Sequence, residues 1–545
     1  MDVTPDTDEV SNQPPPYADV NLAAGDPALA AAADRAGMNG TLLAFGAQWG
    51  GSDQFALGRL ANEYPPELHS HDPQGRRCDV VEFHPAYHAL MAQSMEAGLH
   101  CSSWDGPARP AEARRGNARR AARLYMVSQV EAGHVCPLTM THAAPASLAA
   151  APELLRDFLP RIRARNYDGR FVPFWEKASV TIGMSMTERQ GGTDVRSNTT
   201  QAVPTSGSEY EITGAKWFLS APMSDAFLVL AQAPGGLTAF LLPRFRPDGK
   251  VNGLRIIRLK RKLGNRSNAS CEVEFERAFA WRVGDEGRGI ATIIGMVQMT
   301  RLDCAVSSAA LMRAALARAL HHARHRTAFQ KKLVDQPAMA MVLADLALDQ
   351  EAFAALAFRL ALSFDEASGS GTEAAHARVL TPVTKFAVCK AAPGFIAEAM
   401  EVLGGNGYVE DSALPRLYRE APVNAIWEGS GNVMALDLAR VAFREPDLVQ
   451  AILADLKART HGLPGASATA ETVSECLTSG DREARARRAA EALALLAATA
   501  ALAESAPTAV VEAFAATRLA APRGIYGANA IDAVRDLLLE RAFAA

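Results

Sequence analysis

Glu428 lies in Ile426-Trp-Glu-Gly-Ser-Gly-Asn432, a carboxylate between an indole and small residues. Shielded from water in such a loop, it is desolvated, and its pKa rises towards the range where a general base works at neutral pH. The bland alternative is that Glu428 caps the following helix, whose first turn favours negative charge. A second segment, Met184-Ser-Met-Thr-Glu-Arg-Gln-Gly-Gly-Thr-Asp194, places Gly191 and Gly192 where backbone can approach a ligand closely, with hydroxyls on Thr187 and Thr193. As structure alone it is a β-bulge loop. Metal chemistry is not expected, because the histidine pairs His84/His88 and His321/His325 lack the glutamate of a zincin pattern. A Rossmann site is not expected either, since no G-x-G-x-x-G follows a strand.

These segments need a scaffold, and 545 residues imply roughly three or four domains. Hydrophobic content of 49% with 21% charge is that of an ordinary globular chain, and a net charge of -4 argues against a histone-like binder. Seven dispersed cysteines without a C-x-x-C pair suit a reducing compartment, and the acidic, Pro-rich start lacks a secretory signal, so a cytoplasmic protein is expected. The longest nearly unbroken apolar run, residues 492–503, is too short to cross a bilayer and reads as a buried helix. No membrane association is expected.

Residues 1–40 are Pro-, Asp- and Ala-rich and read as an N-terminal arm. Apolar residues recur at helical spacing through 41–180, including 118–133 and 145–163. Residues 181–285 change to short β-branched or alternating segments between turns, an all-β insert. Helical periodicity returns through 286–444, with long stretches suited to a bundle, broken by a turn at 368–372. A Pro/Gly/Ser/Thr stretch at 460–479 and an Ala-dense helix then make 445–545 look like an appendage.

Six motifs within this order resemble the acyl-CoA dehydrogenase family: the Met184 loop, Gly214-Ala-Lys-Trp-Phe-Leu-Ser220, Gly284-Asp-Glu-Gly-Arg-Gly289, His325-Arg-Thr-Ala-Phe-Gln330, Gly404-Gly-Asn-Gly-Tyr408 and the Glu428 loop. Phe83-His-Pro-Ala-Tyr-His88, Gln129-Val-Glu-Ala-Gly133, Lys262-Leu-Gly-Asn-Arg-Ser-Asn-Ala-Ser270 and the C-terminal extension further resemble its adaptive-response, AidB-like subgroup. The resemblance implies a mainly α fold with an all-β insert: a helical N-terminal domain, a middle β-barrel, a C-terminal four-helix bundle and an extra helical domain. It also implies bound FAD and a homotetramer built as a dimer of dimers.

It assigns residues as well. Glu428 matches the base of the short-chain members. Reduced isoalloxazine is electron-rich, so hydroxyls and backbone N–H groups must face it, which implicates Met184, Met186, Thr187, Gly192 and Thr193. In the next motif the family has one aromatic two residues before Ser or Thr, whereas Trp217 and Phe218 are both aromatic here. Strand alternation puts Phe218 on the face of Ser220, so these two go to the flavin and Trp217 to core or channel wall, and Leu219 between them joins the cofactor set. Arg326 and Phe329 match residues that reach the pyrophosphate and adenine ends of FAD from a neighbouring subunit, and a guanidinium fork suits a diphosphate. The family's usual glycine after that Phe is Gln330. Gly404 and Gly405 address the same end, or form only a helix cap. Ile426, Ser430 and Asn432 complete the cofactor set.

Two functions follow from the resemblance. One is an acyl-CoA dehydrogenase-type enzyme of the adaptive response to DNA alkylation, in which Glu428 takes the α-proton and the flavin receives a hydride. The alternative is a protective flavoprotein that binds double-stranded DNA, with little or no turnover. The subgroup's extension is expected to be basic, yet residues 438–545 hold 12 Lys+Arg and 13 Asp+Glu. Any DNA contact must come from a local stripe. Arg482, Arg485 and Arg488 fall within about 120° of one helix face, while Arg487 lies elsewhere. A solvated face is the plain alternative.

Overall fold

The computed structural model describes residues 11–38, 40–106, 115–522 and 524–543. In the N-terminal domain, α1 (Pro27–Ala36) begins where Asp26 accepts the Leu29 amide and stops at Gly37, whose φ of 68° needs no Cβ. Its Ala28, Leu29 and Ala33 are buried, so the stretch expected to be an arm is partly core. Helices α2 (Leu42–Trp49) and α3 (Ser52–Glu63) lead to a hairpin, β1 (Glu67–His71) and β2 (Arg77–Glu82), inside the region expected to be purely helical. Asp72 forms that turn by accepting the amides of Gln74 and Arg76, with Gly75 at φ 81°. Then come α4 (Pro85–Glu96), α5 (Gly116–Val130), α6 (Val135–Leu148) and α7 (Pro152–Ile162). The helical stretch 145–163 is thus two helices, the second opened by Pro152.

The middle domain is β3 (Ile182–Ser185), β4 (Gln201–Ser206), β5 (Glu209–Ser220), β6 (Ala226–Ala233), β7 (Gly236–Pro243), β8 (Leu254–Leu259) and β9 (Ser270–Val283). Pairings β6–β4, β4–β5, β5–β9, β9–β7 and β7–β6 close a circuit, with β3 parallel to β6 and β8 beside β9. Closure hides strand edges and fills the interior with Phe227, Phe240 and Phe275. One face of the barrel shares a separate apolar core with α6 and α7, against which Met184, Met186 and Trp427 pack.

The C-terminal bundle comprises α8 (Gly289–His325), α9 (Pro337–Glu366), α10 (Gly371–Val402), α11 (Leu414–Asn424) and α12 (Gly431–Arg444). A two-residue-strand hairpin, β10 (Thr327–Ala328) and β11 (Lys331–Lys332), follows α8. By length and composition α8 and α10 are apolar enough to cross a bilayer, but their apolar windows are 61% and 72% buried inside the protein. Beyond lie α13 (Pro446–Arg459), α14 (Ala466–Thr478), α15 (Arg482–Ala503), α16 (Thr508–Arg518) and α17 (Arg535–Phe543). Two expectations change here. The stretch 460–479 contains a helix, because Ala466, Thr469, Ala470, Val473 and Leu477 recur at i, i+3, i+4 spacing and are buried, and burial outweighs weak intrinsic propensity. The extension is also no appendage: α15 packs on α9, α10 and α12, and the buried Arg518 pairs with Asp345 at 2.5 Å and Asp349 at 2.9 Å on α9.

Candidate active site

Glu428 stands between α11 and α12 at φ 57°, a left-handed conformation that costs a non-glycine residue energy and persists only when its surroundings enforce it. They do. The Arg301 Nε donates to the Glu428 carbonyl at 3.0 Å, and the buried Lys385 Nζ donates to the carbonyls of Asn424 and Gly429, both at 2.9 Å. Trp427 Nε1 donates to Asn424 Oδ1 at 3.0 Å. The half-buried carboxylate accepts from Thr300 Oγ1 on α8 at 2.8 Å, while Ser430, the N-cap of α12, makes no side-chain capping bond. Burial pushes the Glu428 carboxyl above its ordinary pKa, opposed by the Thr300 bond and by the charges of Lys385 and Arg301.

The Met184 loop is fixed from below by Glu188, a buried carboxylate that accepts from Lys216 Nζ at 2.8 Å and from the amides and hydroxyls of Thr199 and Thr200. Burial alone would raise its pKa; Lys216 and these bonds hold it well below the usual carboxylate range. Above this anchor, Thr187 accepts the Trp217 amide through its carbonyl at 2.9 Å. A Cβ at Gly192 would come within 2.3 Å of Thr187 Oγ1, so only glycine admits this approach. Thr193 is exposed beside it.

Strand β5 departs from simple alternation. Lys216 faces Val273 but Leu219 faces Cys271, so one extra residue is inserted at Trp217 and Phe218. The bulge resets the two-residue period. Lys260 Nζ consequently lies 3.5 Å from the Trp217 ring centroid and 4.6 Å from that of Phe218, and Trp217 is a half-buried surface aromatic beneath cations rather than core. Phe218 remains 47% exposed. Leu219 is fully buried in the barrel, which leaves only its backbone to meet a ligand, and Ser220 is half-buried 3.4 Å from Ser270.

The remaining assigned residues divide. Ile426 and Ser430 are exposed beside Glu428. Asn432, assigned to the cofactor, accepts from Arg487 of α15 at 2.9 Å. Arg326, Phe329, Gly404 and Gly405 are far away: from Thr300 to Arg326, α8 rises about 39 Å at 1.5 Å per residue. There Phe329 and Gln330 form the two-residue turn between β10 and β11 at φ 50° and 64°, and Phe329 is 94% exposed. Such a turn favours Asn or Gly, so Gln330 in place of glycine bears backbone strain. Gly404 and Gly405 would admit a Cβ without meeting any atom within 4 Å.

On the C-terminal extension, Arg485 and Arg488 are exposed, and Arg482 is half-buried with its guanidinium 4.6 Å from the Phe443 ring. Arg487, which helical geometry sets apart from them, is the one that reaches the Glu428 side of the molecule. His84 caps α4 by accepting the Ala86 amide, and His88 meets the Tyr167 hydroxyl at 2.9 Å. Thr300, Arg301 and Lys385 escape a motif search, while Glu188 sits inside the Met184 motif, which by itself assigns it no role. Lys385 has a visible signal, a lysine set within the apolar stretch 379–389 of α10, which must find oxygen partners when buried.

A closed barrel between two helical domains, with Trp427 of the Glu428 loop packed on the core that the barrel shares with α6 and α7, is the acyl-CoA dehydrogenase class of fold. Residues 12–169 match the adaptive response protein AidB N-terminal domain, 183–278 the acyl-CoA dehydrogenase middle domain and 287–443 the acyl-CoA dehydrogenase C-terminal domain. The chain is 50% identical over 439 residues to AidB of Escherichia coli (strain K12), covering 80% of each chain. Caenorhabditis elegans ACDH-11, solved in complex with C11-CoA, superposes with a TM-score of 0.84 at 26% identity over 99% of this chain and 98% of that one. An acyl-CoA dehydrogenase from Bacillus anthracis, solved with FAD, shares the fold at a TM-score of 0.63 and 16% identity over 84% and 79%. The chain belongs to the acyl-CoA dehydrogenase family, in its AidB-like branch, and FAD is the cofactor of that family.

Proposed function

We propose that this protein is an FAD-dependent, acyl-CoA dehydrogenase-type oxidoreductase in which Glu428 removes the α-proton of an acyl thioester. The observation that carries the reading is the carboxylate itself: half-buried, raised in pKa by desolvation, bonded by Thr300, and carried on a left-handed turn whose backbone is held by Arg301 and Lys385. The neighbouring surface suits the cofactor. Phe218 presents an exposed ring, Met184 and Met186 are partly buried apolar neighbours, and Gly192 lies close against the Thr187 hydroxyl, with Thr193 exposed beside it. FAD, when bound, supplies the acceptor for the hydride that leaves the β-carbon. The chain's own residues do the rest. Thr300 orients the carboxylate, Arg301 and Lys385 keep its backbone in place, and the proton from the α-carbon comes to rest on Glu428 as the Cα=Cβ double bond forms.

The stretch of α8 from Thr300, which bonds Glu428, to Arg326, about 39 Å at 1.5 Å per residue, is the argument for assembly. Arg326 and Phe329 stand at the far end of α8 from the Glu428 loop, with the turn at Gly404 and Gly405 tied to that same end through Gln13 and Asn12, so these residues serve a neighbouring subunit's FAD in a homotetramer. The substrate class is acyl-CoA. Anaerobic mixing of the FAD-loaded protein with acyl-CoAs of graded chain length tests the reading: bleaching of the oxidised-flavin absorbance supports it, and an unbleached spectrum across the series refutes it.

A second role is compatible with the same fold. Arg485 and Arg488 stand exposed on α15 beside Arg482, a stripe suited to duplex phosphates, as in a protein protecting DNA during the adaptive response to alkylation. A low-salt anisotropy titration with duplex DNA tests it, and absence of binding removes it.

A further inference from the structure

Residues 11–17 of the N-terminal arm run along the C-terminal end of α8, where Arg326 emerges. Asn12 is the centre of this contact. Its Nδ2 donates to the Thr327 carbonyl at 2.8 Å, its Oδ1 accepts the Thr327 amide at 2.7 Å, and its own carbonyl accepts from Arg326 Nη1 at 2.6 Å. The chemistry asks for this residue type. A planar side-chain amide offers a donor and an acceptor side by side to the C=O and N–H of one residue, and Asn tolerates the φ of 54° found here better than most side chains. Further along, His321 Nε2 bonds the Pro15 carbonyl at 2.8 Å, the Tyr17 ring meets His321 edge-on at 5.4 Å, and Arg318 lies 4.9 Å from the Tyr17 ring. Gln13 Oε1 accepts from Asn406 at 3.3 Å, inside the Gly404–Gly407 turn. The arm therefore ties together the two segments, around Arg326 and around Gly404, that are assigned to one end of the cofactor.

A guanidinium carries five donors, and the Asn12 carbonyl engages one at Nη1, leaving donors for another ligand. A long side chain already held in one orientation loses less freedom when a ligand arrives. We propose that the arm preorganises Arg326 for the cofactor's diphosphate, with Asn12 as the positioning residue. The inference rests on Arg326 being a cofactor contact, and the experiment separates the two.

FAD affinity is measured by fluorescence titration of apoprotein for wild type, Asn12→Gly, Asn12→Asp, Arg326→Ala and the double variant Asn12→Gly/Arg326→Ala, alongside the melting temperature of each apoprotein. Glycine keeps the left-handed backbone and deletes only the side-chain clamp. Asn12→Gly should raise the FAD Kd roughly threefold to tenfold, the scale of one side chain left to be ordered on binding, with an unchanged apoprotein melting temperature. Asn12→Asp, which retains the acceptor for the Thr327 amide, should recover part of the loss. In the Arg326→Ala background Asn12→Gly should add nothing, since its effect passes through the guanidinium. A wild-type Kd in Arg326→Ala overturns the cofactor assignment of Arg326 and the inference with it. A weakened Arg326→Ala with a wild-type Kd in Asn12→Gly, or Asn12 and Arg326 effects that simply add, overturns the inference alone.

Discussion

At Glu428 the governing quantity is the competition between desolvation and the hydrogen bond from Thr300. Proton abstraction needs the carboxylate, so the rate of flavin reduction should rise with pH through a pKa above the ordinary glutamate value. Thr300→Val deletes the bond that favours the charged form, and the acid limb of the single-turnover pH profile should move to higher pH. A limb that stays in place would remove Thr300 from the control of Glu428. Stability runs in the opposite sense. A carboxyl whose pKa is raised by folding contributes stability at low pH that is lost as pH rises through the folded-state value. The Glu428 motif was legible as a base from its position in a Trp-Gly-Ser-Gly loop, but its partners were not, because Thr300 and Arg301 are over a hundred residues away in the chain and meet it only through packing.

The elements around the site differ in what their sequence announces. Strands β5, β6, β7 and β9 and the long helices follow directly from periodicity. The bulge at Trp217 and Phe218 does not, since it is a relation between β5 and β9 that neither strand encodes alone, and it brings Trp217 and Phe218 beside the same lysine, Lys260, where alternation would set them on opposite faces. Helix α14 was hidden by its Ser and Thr content, and the β1–β2 hairpin by its shortness. Lys385 shows an element acting on chemistry at a distance, because α10 delivers an ammonium to two carbonyls that flank the Glu428 turn. Lys385→Met leaves both carbonyls unpaired at about 1–3 kcal/mol each. Thermal or denaturant unfolding should show the loss, and single-turnover reduction should slow while FAD stays bound. Unchanged stability and rate together would mean that the turn holds its shape without Lys385.

At the scale of the whole molecule, the extension is part of the body: Arg518 is buried against α9, and Arg487 bonds Asn432 next to the Glu428 loop. What the sequence presented as a tail is a supporting wall with one exposed basic edge. If Arg482, Arg485 and Arg488 all touch phosphates, log K for duplex DNA should fall with log salt at a slope of about -2.7 per engaged subunit. Changing all three to Gln should reduce binding with flavin content untouched, and binding indifferent to that change would exclude the stripe. The separation of Arg326 from Glu428 makes a second prediction at this scale. Arg326→Ala should weaken FAD retention and the tetramer together, as read by gel filtration and bound-flavin absorbance across a protein dilution series, because a contact made across subunits links the two equilibria. Loss of one without the other would show that they are independent. The most direct test of the central claim compares wild type with Glu428→Gln in anaerobic single-turnover mixing with the acyl-CoA that best bleaches the flavin. Gln preserves shape and removes only the base, so FAD content should be equal and the bleaching rate lower by about 10²-fold or more; an equal bleaching rate in the two proteins would contradict the assignment of Glu428 as the base.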